Sequence, residues 1–154
     1  MSEKNPVRLA VIGAGAMGRN HIRFVTEEPG AELVAIADAF EGARTTAEAA
    51  SVPFFTDPAQ MMDEVKPEGI IIATPNGLHL SVAREAVKRD IVPLVEKPIS
   101  DNLEDAQAFA AEAEEAGVPC SWSSTVATTP SCRRQSRSSR AASWAASPSA
   151  PSTT

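Results

Sequence analysis

The stretch Val7-Arg8-Leu9-Ala10-Val11-Ile12-Gly13-Ala14-Gly15-Ala16-Met17-Gly18 decides the fold. Its first half is rich in Val, Leu and Ile, as suits a buried parallel strand. Its second half is G-x-G-x-x-G, and a helix-compatible stretch, Arg19 to Thr26, follows at once. Strand, glycine turn and helix in that order are what a dinucleotide-binding βαβ unit requires. Gly13 allows the tight turn, Gly15 lets the backbone approach a pyrophosphate, and Gly18 lets the helix pack close to the strand. The helix N-terminus that follows offers N–H groups without helical partners and a positive dipole end to the phosphates, with Ala16 and Met17 of the turn as further cofactor contacts. The glycine pattern alone is weak, since Gly- and Ala-rich helices match it by chance.

The next element adds what the glycines lack. Glu32 to Ala37 reads as a second buried strand, and it ends on Asp38, twenty residues after Gly18. A carboxylate there accepts both hydroxyls of the adenosine ribose and repels a 2′-phosphate, which favours NAD over NADP. Arg44 stands near enough in sequence to help a phosphate, and is the argument for NADP. The competing reading of Asp38 is an ordinary cap or turn residue.

A chain of 154 residues suffices for one domain with a full core and is short for a two-domain enzyme. Its 43% apolar and 22% charged content fits a soluble globular protein. No apolar run approaches membrane-spanning length, and Met1 to Pro6 lacks a signal-peptide layout. Cys120 and Cys132 show neither metal spacing nor a disulfide framework, so a cytoplasmic protein without a metal site is expected. The net charge of −6 hides a split. All 20 acidic residues lie at or before Glu115, with 10 basic ones, so residues 1–120 carry −10; residues 121–154 hold four Arg and no Lys, Asp or Glu, and carry +4.

The first 120 residues alternate short apolar runs with helical patterns, the mark of a parallel sheet with crossover helices. Phe40 to Ala50 reads as an Ala-rich helix and Val52 to Phe55 as a third strand. Asp57 is placed as an N-cap with Pro58 at the first helical position, opening a helix through Val65. Gly69 to Ala73 is fully apolar, as expected of a central strand, and Thr74-Pro75-Asn76-Gly77 leads from it into a helix over about Leu78 to Lys88. Ile91 to Val95 is the fifth strand, ending in Glu96-Lys97-Pro98. Asp101 is assigned as the cap of a last helix to Ala116, stopped by Gly117, and Val118-Pro119 begins a sixth strand. The expectation is a Rossmann-type, doubly wound α/β domain over residues 1–120.

In this order, Gly13-x-Gly15-x-x-Gly18, Asp38, Ala73-Thr74-Pro75-Asn76 with His79 three residues on, and Glu96-Lys97-Pro98 resemble the N-terminal half of the Gfo/Idh/MocA oxidoreductases, near their inositol and sugar dehydrogenases. The resemblance covers about residues 5–119. It implies contact of Thr74, Pro75 and Asn76 with the nicotinamide ribose and pyrophosphate; the competing reading is a plain chain reversal. His79 is either a cofactor-side group or a partly exposed capping and packing residue. Lys97 ends a strand, held at the cleft between Glu96 and Pro98. Partial burial beside a bound nicotinamide would suit it to exchange a proton with a substrate hydroxyl, with Glu96 orienting it. The resemblance likewise places this lysine at the active site; the competing reading is a surface ion pair. The family completes its site from a second, larger domain that this chain is expected to lack, so NAD binding with little or no turnover of a polyol or sugar follows.

From residue 121 the pattern fails: 11 Ser and 5 Thr accompany the four Arg, and no period of 2 or 3.6 survives. Arg133 to Arg140 could serve as an RNA-binding segment, or the whole tail as a solvated extension, but a wrong-frame translation is preferred. Shifted by one base near the Pro119 codon, permitted codons read as a sixth strand followed by an Arg-Arg-His-Asn-Pro run that resembles the family at this point. The tail is therefore expected to be disordered and to bind no nucleic acid, with Cys120 and Trp122 still pairing as an edge strand. The uncovered sheet face and edge would promote self-association. The alternative from another class is a stand-alone NAD-binding sensor or carrier.

Overall fold

The computed structural model describes residues 5–122. Six parallel strands form one sheet in the order β3-β2-β1-β4-β5-β6. They are β1 (Val7–Ile12), β2 (Ala31–Ala37), β3 (Phe54–Phe55), β4 (Gly69–Ile72), β5 (Val92–Val95) and β6 (Ser121–Trp122). The chain winds outward from β1 to β3, returns, and winds outward again from β4, so the direction reverses between β1 and β4. Open sheets of this kind bind ligands at the carboxyl ends of the strands beside that reversal.

Period-2 alternation divides the core in two. Leu9 and Val11 share one face with Ile36 and Ile71, covered by Ile22 and Val25 of α1 (Ala16–Glu27) and Ala47 of α2 (Arg44–Ala49). Ala10 and Ile12 share the other with Ala37, Ile70 and Ile72, covered by α3 (Pro58–Val65), α4 (His79–Val87) and α5 (Leu103–Ala116). Small residues on β1 and β2 bring Met61, Met62, Leu80 and Phe109 close to the sheet. Each such side chain stabilises the fold by about 1.5–3 kcal/mol through burial. Arg84 of α4 ties α5 down through Asp105 and Glu112, at 2.7 and 2.8 Å.

The doubly wound α/β expectation holds, with local corrections. α1 starts at Ala16, three residues before the expected Arg19, with Gly15 as its cap. Phe40 to Ala50 is not one helix; a 3-10 turn, Glu41–Ala43, precedes α2. Asp57 caps α3 as expected, accepting from Ala59 N at 2.8 Å, with Pro58 in the first turn. The last helix is capped by Asn102, not Asp101: Asn102 Oδ1 accepts from Glu104 N at 2.8 Å. Gly117 ends that helix at φ +70. β6 pairs with β5 through Leu94↔Ser121 and Val95↔Trp122. The readings made for residues 123–154, the arginine segment and the disordered tail included, lie outside the described residues.

Candidate functional site

The site is assembled from the carboxyl ends of β2, β1, β4 and β5, neighbours in the sheet. At the end of β1, Gly13 has φ +94, and a Cβ on it would lie 2.5 Å from the Ala73 carbonyl oxygen. A Cβ on Gly18 would lie 1.8 Å from the Gly13 carbonyl oxygen, so α1 packs directly on the turn that precedes it. Gly15 differs: nothing lies within 4 Å of where its Cβ would be. Two glycines therefore serve close backbone packing, while the third opens the crevice at the amino end of α1. No acidic residue occupies the first turn of that helix. Such a start, with free amides and a positive dipole end, suits a pyrophosphate.

Asp38 follows β2, and both its oxygens already hold backbone. Oδ2 accepts from Ala14 N at 2.7 Å and Oδ1 from Phe40 N at 2.8 Å. The turn and ribose readings are thus compatible, because each carboxylate oxygen keeps a lone pair free for a hydroxyl. After β4, Thr74 places its hydroxyl oxygen in a buried position with no hydrogen-bond partner. Pro75 and Asn76 are exposed, and Asn76 opens a 3-10 turn to Leu78. The Thr74 backbone N lies 2.8 Å from where a Cβ on Gly13 would stand, so this loop packs on the glycine turn at the end of β1.

After β5, Glu96 and Lys97 reach the same edge. One Glu96 oxygen is in close contact with His21 Nε2 from α1, while Oε2 accepts from the Lys97 backbone N at 3.2 Å. Lys97 itself is exposed, and among the described residues no ion pair involves its ammonium. The segment is held through its backbone and through Glu96, and the long lysine side chain projects from it.

Residues 7–124 match the Gfo/Idh/MocA family, described as an oxidoreductase family with an NAD-binding Rossmann fold. The chain belongs to this family. It is 31% identical over 120 residues to the scyllo-inositol 2-dehydrogenase (NAD(+)) of Bacillus subtilis, covering 76% of this chain and 35% of that protein. It is 34% identical over 115 residues to an inositol 2-dehydrogenase of an Arthrobacter species, covering 72% and 34%. The solved WlbA dehydrogenase from Bordetella pertussis, in complex with NADH and UDP-GlcNAcA, superposes with a TM-score of 0.74 at 28% identity, over 77% of this chain and 37% of that one. The chain thus spans about a third of the length of the relatives it matches.

Within this Gfo/Idh/MocA domain two sequence readings change. His79 is not partly exposed; it is fully buried. Its ring nitrogens lie 2.7 Å from the Thr74 carbonyl oxygen and 2.8 Å from that of Pro98. Both face backbone carbonyls, so His79 bridges the loops after β4 and β5. Arg44, the argument for NADP, is occupied elsewhere: its guanidinium pairs with Glu41 and lies 4.9 Å over the Phe54 ring. The cofactor of the family is NAD. His21 was missed by sequence reasoning; its signal is a spacing of three from Gly18, which puts both on the helix face turned to the sheet.

Two concavities among the described residues lie away from this edge. One, about 200 Å³, is between α3 and α4 around Met62 and Ser81; the other, about 460 Å³, is at the amino ends of β4 and β5 around Lys66 and Arg89. No described helix is long and apolar enough to cross a membrane.

Proposed function

We propose that this domain is the cofactor half of a dehydrogenase that moves a hydride between a sugar, inositol or related polyol and NAD, with Lys97 as the acid–base group. The carrying observation is spatial order: Asp38, the Gly15 turn, Thr74–Asn76 and Glu96–Lys97 follow one another along a single sheet edge. That sequence of groups matches ribose, pyrophosphate and nicotinamide in turn. The printed activities of the inositol dehydrogenase relatives support the substrate class.

Bound nicotinamide would supply the hydride acceptor. Asp38 offers its free lone pairs to the ribose hydroxyls, and the amides opening α1 at Ala16, Met17 and Gly18 receive the pyrophosphate. Thr74 completes a hydrogen bond with its buried hydroxyl, next to Pro75 and Asn76 at the nicotinamide end. The unpaired amine of Lys97 takes the proton of a secondary alcohol as its carbon loses hydride; in reverse its ammonium returns a proton to the carbonyl oxygen. Residues 5–122 supply the cofactor site and the proton-transfer group, so little or no turnover by them alone is part of this reading.

A cytoplasmic setting and self-association along the outer edge of β6 belong to the same proposal, since β6 ends the sheet. So does an out-of-frame origin for residues 121–154, supported by the swing from −10 to +4 in charge and tested by resequencing from the Val118 codon onward. The functional test is titration of the full chain with NADH and NADPH, followed by nucleotide fluorescence. NADH should saturate it, and Asp38→Ala should weaken NADH more than NADPH. Equal losses would remove Asp38 from the ribose, and no saturation by NADH would overturn the cofactor reading.

A further inference from the structure

The chain contains two histidines, and both converge on one three-residue segment. His21, on α1, contacts the Glu96 carboxylate; His79, at the start of α4, contacts the Pro98 carbonyl oxygen at 2.8 Å. Lys97 lies between these two anchor points. The other end of each connection is as informative. His21 sits on the helix whose first turn forms the pyrophosphate end of the crevice, and the other nitrogen of His79 contacts the Thr74 carbonyl oxygen at 2.7 Å. The segment carrying Lys97 is therefore registered both to the phosphate-side helix and to the loop at the nicotinamide end.

The geometry points to His21 and His79 as positioning residues for Lys97, a two-sided clamp that sets its backbone relative to the cofactor. This rests on the reading of Lys97 as the acid–base group. An exposed lysine at the end of a strand would otherwise sample many positions, and proton transfer needs the amine within hydrogen-bond reach of one hydroxyl. Glu96 is the joint of the clamp. One carboxylate oxygen faces His21 and the other accepts from the Lys97 amide at 3.2 Å, so the His21 contact fixes the peptide that leads into the lysine. Burial differs between the two sides: His79 is fully buried, whereas the His21 and Glu96 side chains retain 19% and 14% exposure. His21 can consequently be altered with less risk to the fold.

The test uses the full chain, labelled with 15N, and compares backbone order at Lys97 in the wild type, His21→Ala, His21→Gln and His79→Ala, alongside NADH titration. In the wild type the Lys97 amide should have an order parameter near the rigid value of about 0.85. His21→Ala should lower it below about 0.6, with β1 and β4 unchanged. His21→Gln should restore it, because the glutamine amide donates over a similar reach. His79→Ala should act in the same direction; if it fails to fold, the His21 pair still decides. Unchanged order at Lys97 in His21→Ala overturns the clamp, and so does a loss spread equally over β1 and β4, which would make His21 a residue of general stability. Failure of the wild type to bind NADH overturns the functional reading instead, whatever the order at Lys97.

Discussion

Gly15 and Gly18 lie three residues apart, yet alanine at the two positions should produce opposite failures. At Gly18 the new methyl would stand 1.8 Å from the Gly13 carbonyl oxygen, a backbone atom that cannot rotate away. Relief requires α1 to move off the sheet, against the buried contacts of Ile22 and Val25. Overpacking in a filled core costs about 1–3 kcal/mol, and backbone opposition puts Gly18→Ala at the upper end, about 3 kcal/mol. For a domain of this size that lowers Tm by roughly 10 °C. At Gly15 nothing lies within 4 Å and φ is −67, a value alanine adopts freely. The only folding cost of Gly15→Ala is a poorer helix cap, below about 1 kcal/mol. Its methyl, however, enters the space assigned to the pyrophosphate. Loss of one hydrogen bond to a charged group, about 1.5–3 kcal/mol, corresponds to a roughly 10- to 150-fold weaker NADH affinity. Thermal melts followed by circular dichroism give the first quantity and NADH fluorescence the second. If Gly15→Ala melts as low as Gly18→Ala, or binds NADH as the wild type does, the division of labour between the two glycines is wrong.

Lys97→Ala should change NADH affinity by less than about twofold, because the role assigned to its amine is proton exchange with the substrate hydroxyl; a tenfold loss would make it an anchor rather than an acid–base group. Asp63 is held below the ordinary carboxylate range by its hydrogen bonds from Arg89, and Glu85 by those from Lys88 and then Arg89. Groups depressed in the folded state contribute stability above their unfolded values and lose it as pH falls through the folded ones. Arg89→Ala should therefore lower the urea midpoint at pH 7 and approach the wild type near pH 3, and a difference independent of pH would refute the linkage. Asn102→Ala should cost about 1 kcal/mol and Asp101→Ala almost nothing, readable as a difference in Tm; the reverse order would reinstate Asp101 as the cap.

Most elements were legible because they depend on local chemistry. The apolar run Gly69–Ile72 can only be a central strand, and Asp57-Pro58 carries its own capping signal. The misses have physical causes. α1 begins three residues early because its cap, Gly15, has no side chain to announce it. Asp101 and Asn102 are chemically alike as caps, and the extended backbone at Asn102, φ −121 and ψ 119, decides between them. His79 carries nothing in sequence to show that it is enclosed, since the two carbonyls it meets belong to Thr74 and Pro98, five and nineteen residues away.

The order of strands, the glycine turn, the acid at the end of β2 and the lysine after β5 follow from the sequence alone, because period, turn chemistry and spacing act over a few residues. Tertiary structure decided which of these groups touch. Only the parallel stacking of β1, β4 and β5 brings Gly13 against Ala73 and His21 against Glu96, across 60 and 75 positions of chain. Contacts over such separations depend on register and on the packing of α1, which no local pattern encodes.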